Sequence, residues 1–180
     1  IVPRHAPADW AKQISPDEIY ELSHHAKYRE PVPMIVLVAD ISSSTSLLAE
    51  ATRPAVAANN FRALFTDAKR IVTDQCEGWF DKFMGDGILA CGVGRDKDYA
   101  KRIPSVFAAI RKVDEAFREA LPRLLAGSPG ASGNEPKLYF GVAVGDVHLM
   151  VVAGDLTLIG MPVILATRMA SEKGSVCCSE

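Results

Sequence analysis

The sequence predicts an α+β domain with helices layered over an antiparallel-rich sheet, and three observations predict it. Met34 to Ile41 (MIVLVADI) is a continuous apolar, β-branched run ending in an acid, the pattern of a buried central strand. Pro54 to Cys76 and Tyr99 to Leu125 carry apolar residues at three- and four-residue intervals, the pattern of amphipathic helices. Between them, Trp79 to Phe83 and Ile88 to Val93 flank Met84-Gly85-Asp86-Gly87, which reads as a hairpin closed by an Asp-Gly turn.

The elements follow in order. Ser15 offers a capping hydroxyl, Pro16 the first helical position and Glu18 the partner three residues after the cap, so a helix starts near residue 16 and ends before Pro31 and Pro33. Residues 1–31 are thus expected to form an N-terminal helical segment ahead of a main domain over residues 32–180. After the central strand, Leu47, Leu48 and Ala49 predict a short helix beginning inside the Ser42 to Thr45 cluster. The helix over 54–76 places Phe61, Leu64, Phe65, Ala68 and Val72 on one face, and that over 99–125 is expected to begin or kink near Pro104 and loosen at Pro122. Residues 126–136, rich in Gly, Ser and Pro, read as a loop. Leu138 to Val144 predicts a strand, Val147 to Val152 its hairpin partner and Leu156 to Ile159 a third segment. A helix from Pro162 to Lys173 is stopped by Gly174 before a last strand at Val176 to Cys178.

Composition narrows the function classes. With 180 residues, 48% hydrophobic and 23% charged, the chain has the make-up of one ordinary globular domain. A net charge of −2 supplies no basic field, which disfavours nucleic acid and anionic membrane as partners. The run Met34 to Ala39 is far shorter than the roughly 18 residues a membrane span needs, and no charged-then-apolar leader is present. Cys76, Cys91, Cys177 and Cys178 lack metal-site spacing and read as reduced packing residues of a cytoplasmic protein. His5, His24, His25 and His148 are scattered, so an imidazole-based metal site is not expected.

The chemistry-bearing residues are acids. Asp40 ends the buried strand and Asp86 sits in the hairpin turn. If the two tips lie side by side, their oxygens could hold one or two Mg2+ or Mn2+ ions with positions left for phosphate. Taken singly, each acid has a plainer reading, Asp86 as a turn former and Asp40 as a strand-end acid. Ser44 and Thr45 lie where unpaired amides at a helix start favour a polyphosphate, with an ordinary serine cap as the alternative. No Walker A or G-x-G-x-x-G pattern occurs.

Four segments carry a resemblance. Val38-Ala39-Asp40-Ile41-Ser42-Ser43-Ser44-Thr45, Lys82-Phe83-Met84-Gly85-Asp86-Gly87, Gly141-Val142-Ala143-Val144-Gly145-Asp146-Val147 and Leu158-Ile159-Gly160-Met161-Pro162-Val163-Ile164-Leu165-Ala166-Thr167-Arg168 are similar, in order and spacing, to the catalytic domain of class III nucleotide cyclases. The likeness covers about residues 32 to 180. It implies a ferredoxin-like cyclase homology domain that converts a nucleoside triphosphate to its 3',5'-cyclic monophosphate and pyrophosphate, a phosphorus-oxygen lyase reaction. It further implies that Asp40 and Asp86, with the backbone carbonyl of Ile41, hold two Mg2+ or Mn2+ ions per site. Arg168 would neutralise charge on the phosphates, Lys82 and Thr157 would read the base, and a homodimer would form composite sites. On the residues alone, Arg168 also reads as a solvated helix cation and Lys82 as a snorkelling surface cation.

Two departures shape the substrate expectation. Ile164 stands where the family usually has an asparagine that orients the ribose, and Met161 replaces an Asp. An unmade hydrogen bond there costs about 1–3 kcal/mol. With both metal acids retained, the departures point to a changed substrate, and soluble cyclases of the bacterial Pycsar anti-phage systems, which make cyclic UMP or cyclic CMP, look like this chain. The expectation is therefore a pyrimidine cyclase using UTP in preference to CTP. An adenylate cyclase making cAMP, and a catalytically silent nucleotide-binding or dimerisation domain, are the alternatives.

Overall fold

The apolar run forms the middle of the sheet, as β1, over Pro31–Ile41. The computed structural model describes residues 30–76, 79–93, 99–126, 135–152 and 155–171. Within them, β1 is followed by α1 (Ser44–Ala49), α2 (Pro54–Cys76), β2 (Trp79–Met84), β3 (Gly87–Val93), α3 (Tyr99–Ala126), β4 (Leu138–Val152), β5 (Asp155–Ile159) and α4 (Met161–Ser171). The strands lie in the order β2-β3-β1-β4-β5, and each neighbouring pair is antiparallel. The expected α+β architecture is therefore observed. The helix expected before Pro31, most of the loop over 126–136 and the strand at Val176 to Cys178 lie outside the described residues.

Side chains alternate along β1, so each face of the sheet receives half of the run. Met34, Val36 and Val38 pack with Leu89, Ala143 and the α4 residues Ala166 and Ala170. Leu37 and Ala39 pack on the other face with Ala68 and Val72 of α2 and Val113 of α3. Ile35 meets Val106 and Ala109 of α3, while Ile41 joins Leu47, Phe61, Leu64, Phe117 and Leu124. Burying each such side chain is worth about 1.5–3 kcal/mol, and a one-residue slip would carry Asp40 into one of these clusters. The register of β1 is thereby locked. Pro31 and Pro33 pair with β4 alone, beyond the end of β3, where a strand with a single neighbour tolerates a missing amide.

Three local expectations change. The turn expected at Gly145-Asp146 is absent, and β4 runs unbroken from Leu138 to Val152. Gly145 takes φ 147°, a backbone state that favours glycine, yet it keeps its place in the ladder opposite Met34. The partner of β4's second half is instead β5, through His148↔Ile159 to Val152↔Asp155. In the first hairpin, Met84 and Gly87 pair, so Gly85 and Asp86 are the two central residues, and Gly85 with φ 68° is the turn-forming glycine. Finally, α3 continues through both Pro104 and Pro122, whose side chains are exposed.

Helix α4 lies directly on the backbone of β4. A Cβ added at Gly141 would stand 1.8 Å from the Ala166 carbonyl oxygen and 2.9 Å from the Ala170 amide nitrogen. Small residues on the helix, Ala166 and Ala170, permit the approach from the other side. Gly141→Ala should therefore destabilise the domain by about 3 kcal/mol or more, the upper end of overpacking costs, measured as a lowered denaturation midpoint.

Candidate active site

Asp40 and Asp86 meet at one rim of the sheet. Asp40 pairs with Gly87 across β1 and β3, and Asp86 is the residue immediately before Gly87. Gly87 is needed for clearance: a Cβ there would lie 2.7 Å from the Ala39 carbonyl oxygen and 3.2 Å from Asp40 Oδ1. The Asp40 carboxyl is pushed above the usual carboxylate range, first by burial and then by the charge of Asp86, while a hydrogen bond from the Ile41 backbone works in the opposite direction. The two acids therefore feel one another's charge.

The Ser42–Ser44 turn closes over this rim. Ser42 N–H donates to the Lys137 carbonyl at 2.8 Å, and Lys137 N–H donates to Ser42 Oγ at 2.9 Å, which ties the turn to the start of β4. Ser43 caps α1 in the left-handed region (φ 59°, ψ 17°) without a side-chain cap bond. Ser44 is buried, and its hydroxyl donates to Asp86 Oδ2. Thr45, next in α1, is exposed. The Ile41 side chain is buried in the core, so only its backbone is free to serve the site.

The remaining predicted residues lie elsewhere on the sheet. Lys82 is half-buried on edge strand β2, opposite Leu89, and so shares the face that carries Val38 and α4. Thr157 is on the other edge strand, β5, opposite Met150, with three strands between the two edges in the hydrogen-bonding order. Arg168 is exposed in the last turn of α4. Because Pro162 lies by Gly145 while Ala166 and Ala170 lie by Gly141, α4 points its Arg168 end toward the rim that holds Asp40. Met161 and Ile164 are 60% and 45% exposed on the same helix, so the two family departures face outward. Sequence reasoning missed the bond from Ser44 to Asp86, the Ser42 tie to Lys137 and the clearance role of Gly87. Only the glycine was visible as a signal, and it read as part of the turn.

The donor set suits a hard divalent cation. Two carboxylates and a backbone carbonyl are all oxygen ligands, as Mg2+ and Mn2+ prefer. Among the described residues no group of three or more His, Cys, Asp or Glu is placed to hold a metal ion. Completing a coordination shell here requires neutral oxygens, water or phosphate, which is the usual way Mg2+ is held at phosphate sites.

The raised Asp40 carboxyl has a consequence for stability. A carboxyl that binds its proton more tightly in the folded state favours folding below the unfolded value, near pH 3.9, and loses that contribution as pH rises through the folded value. Asp40→Asn should therefore melt at a higher temperature than the parent at pH 7 in chelator. The gap should narrow as pH falls and close below about 3.9, the unfolded value, where the carboxyl becomes protonated in both states. Thermal melts of both proteins across pH check this.

No protein-family model and no curated protein matches the chain. Solved structures do. The adenylyl cyclase CyaB from P. aeruginosa superposes with a TM-score of 0.63 at 20% identity, covering 79% of this chain and 72% of that one. The monomeric guanylyl cyclase domain of the RhoGC fusion protein from the aquatic fungus Blastocladiella emersonii gives 0.63 at 17% identity, covering 79% and 77%. A class III adenylyl cyclase-like ATP-binding protein from Pseudomonas aeruginosa gives 0.67 at 20% identity, covering 83% of this chain and 34% of that one. The chain thus has the fold of class III nucleotide cyclase catalytic domains, with Asp40 and Asp86 adjacent on its rim.

Proposed function

We propose that this chain is a nucleotidyl cyclase that forms a 3',5'-cyclic nucleotide from a nucleoside triphosphate, with UTP preferred over CTP. The observation that carries the reading is the pair Asp40 and Asp86, coupled in charge and converging at one sheet rim, in a fold shared with adenylyl and guanylyl cyclases. In the reaction, the ribose 3'-oxygen bonds to the α-phosphorus, the bond from that phosphorus to the bridging oxygen breaks, pyrophosphate leaves and the hydroxyl proton passes to solvent. When bound, two Mg2+ or Mn2+ ions supply activation of the 3'-hydroxyl and neutralisation of the triphosphate.

This chain's own residues bind and orient. Asp40, Asp86 and the Ile41 carbonyl hold the cations. Ser44 and Thr45 open α1, where first-turn amides lack intrahelical partners and can meet phosphate oxygens. Arg168 balances negative charge as it moves onto the leaving pyrophosphate. Lys82 donates to uracil O4 and Thr157 accepts from N3–H, an adjacent acceptor and donor that a lysine and a threonine hydroxyl can read together. The exposed Met161 and Ile164 add apolar volume where relatives carry polar groups, which suits a smaller base. Cyclic UMP made in this way would serve as a signal in anti-phage defence.

The site is proposed to be shared between two copies. Asp40 stands opposite Tyr139 and Thr157 opposite Met150, eleven positions apart along β4. An extended strand of that length spans about 36 Å. Such a separation supports a base reader and metal acids drawn from different protomers, and the exposed Ile159, Met161 and Ile164 offer apolar surface for the contact. On the hairpin, Phe83 is half out but packs on Phe65 with ring centroids 5.3 Å apart, and Met84 packs against the core, so the hairpin's apolar residues are partly spent within the chain. No helix among the described residues is long and apolar enough to cross a membrane.

Incubation with each of the four nucleoside triphosphates and Mn2+, followed by mass identification of products, tests the activity. Cyclic UMP should dominate. Cyclic AMP alone would reject the pyrimidine reading, and nucleotide binding without any cyclic product would make the chain a silent binding domain. Asp40→Ala or Asp86→Ala should lower turnover by about a thousandfold or more, the several kcal/mol that metal-held charge supplies. Mixing Asp86→Ala with Arg168→Ala protein should restore activity to about a quarter of the parent level through heterodimers with one intact site. Failure to recover any activity would place the whole site within one copy.

A further inference from the structure

Among the described residues, Ser44 is the buried polar side chain, with 4% exposure, and its hydroxyl is committed to Asp86 Oδ2. The partner needs that bond. Asp86 is a central residue of a two-residue turn, anchored in the ladder only through the flanking pair Met84↔Gly87. Beneath it lies an apolar crevice of about 10 Å³ lined by Ile41, Leu64, Phe65, Ala68 and Val113, a space at the lower limit for a single water. The crevice wall offers the carboxylate no donor, and the Ser44 hydroxyl supplies one.

The donor is itself held from two directions. Leu47, one turn further along α1, is 1% exposed and packs with Phe61, Leu64, Phe117 and Leu124, which pins the short helix to the core. Before Ser44, Ser43 turns the backbone through the left-handed region and Ser42 is bonded twice to Lys137. The hydroxyl therefore has a fixed position relative to the sheet. An ionised carboxylate offers about four lone-pair sites, so a single donor at Oδ2 leaves the others open.

We propose that Ser44 is a positioning residue that acts through Asp86, its hydroxyl holding the carboxylate in the orientation that lets Asp86 share a divalent cation with Asp40. This rests on the two-acid cation site proposed above, and it gives the Ser44 side chain a task apart from phosphate contact. Hydrogen bonds to ligating carboxylates typically change metal affinity by about 10- to 100-fold when lost.

The test is calorimetric titration of the nucleotide-free protein with Mn2+ alone, alongside thermal melts in chelator. Ser44→Ala should weaken Mn2+ binding by about tenfold or more while its chelator melt stays cooperative, and Ser44→Thr, which keeps the hydroxyl, should bind within about threefold of the parent. In an Asp86→Ala background, adding Ser44→Ala should change the residual affinity by less than about twofold, because the two act as one unit. Parent-like binding by Ser44→Ala, with binding lost in Asp86→Ala, would overturn the role of Ser44 and leave the cation site standing. A further large loss from Ser44→Ala in the Asp86→Ala background would make Ser44 a ligand in its own right and also overturn positioning. A parent protein that takes up no Mn2+ would overturn both. If Ser44→Ala does not fold, Ser44→Cys keeps the side-chain shape but donates only weakly, and it is titrated in its place with the same supporting and overturning results.

Discussion

Two like charges are held near one another at the edge of a sheet, and that arrangement sets what the rest of the molecule must do. Left alone, Asp40 and Asp86 would separate into water. They stay together because Asp40 ends a strand that is buried on both faces and paired on both sides, while Asp86 sits on the turn of the strand next to it. The apolar contacts of β1 supply the stabilisation, and the repulsion between the acids is the smaller quantity that they overcome. A site whose charges are unfavourable in the bare protein is one that gains when a cation arrives, because binding to the folded state alone adds to its stability.

The strands and helices that hold this pair were largely legible in the sequence. A run such as MIVLVADI has few other solutions, and the helix over Pro54–Cys76 was visible to the residue because its apolar spacing, initial proline and polar face agree. What failed was glycine. Gly145-Asp146 looks like a turn, yet the chain carries Gly145 at positive φ within a long strand and places the reversal after Val152. The pair Gly85 and Gly87 looks like one turn signal, yet one residue forms the turn and the other clears space for Asp40. Glycine marks where backbone must come close or take an unusual angle, and the letter alone does not say which.

The acids themselves could be named from sequence because they fall at predictable places, a strand end and a hairpin tip. The bond from Ser44 to Asp86 could not, since it joins residues 42 positions apart and depends on how α1 is seated by Leu47. Nor does residue spacing alone place Lys82 and Thr157 on opposite edges of the sheet, because that requires the strand order. Periodicity reports which face a residue occupies within its own element. Contacts between elements need the assembled sheet.

The meeting of α4 with Gly141 has a consequence for how this domain can vary over time. Elsewhere in the core a methyl group more or less can be absorbed by neighbouring side chains, but here main chain rests on main chain and there is nothing soft to give way. Drift at that codon is costly in every direction, since each replacement adds a Cβ where two backbones touch. A diverged copy that had lost this glycine would carry a loosened seat for the helix bearing Arg168, whatever else had changed around it.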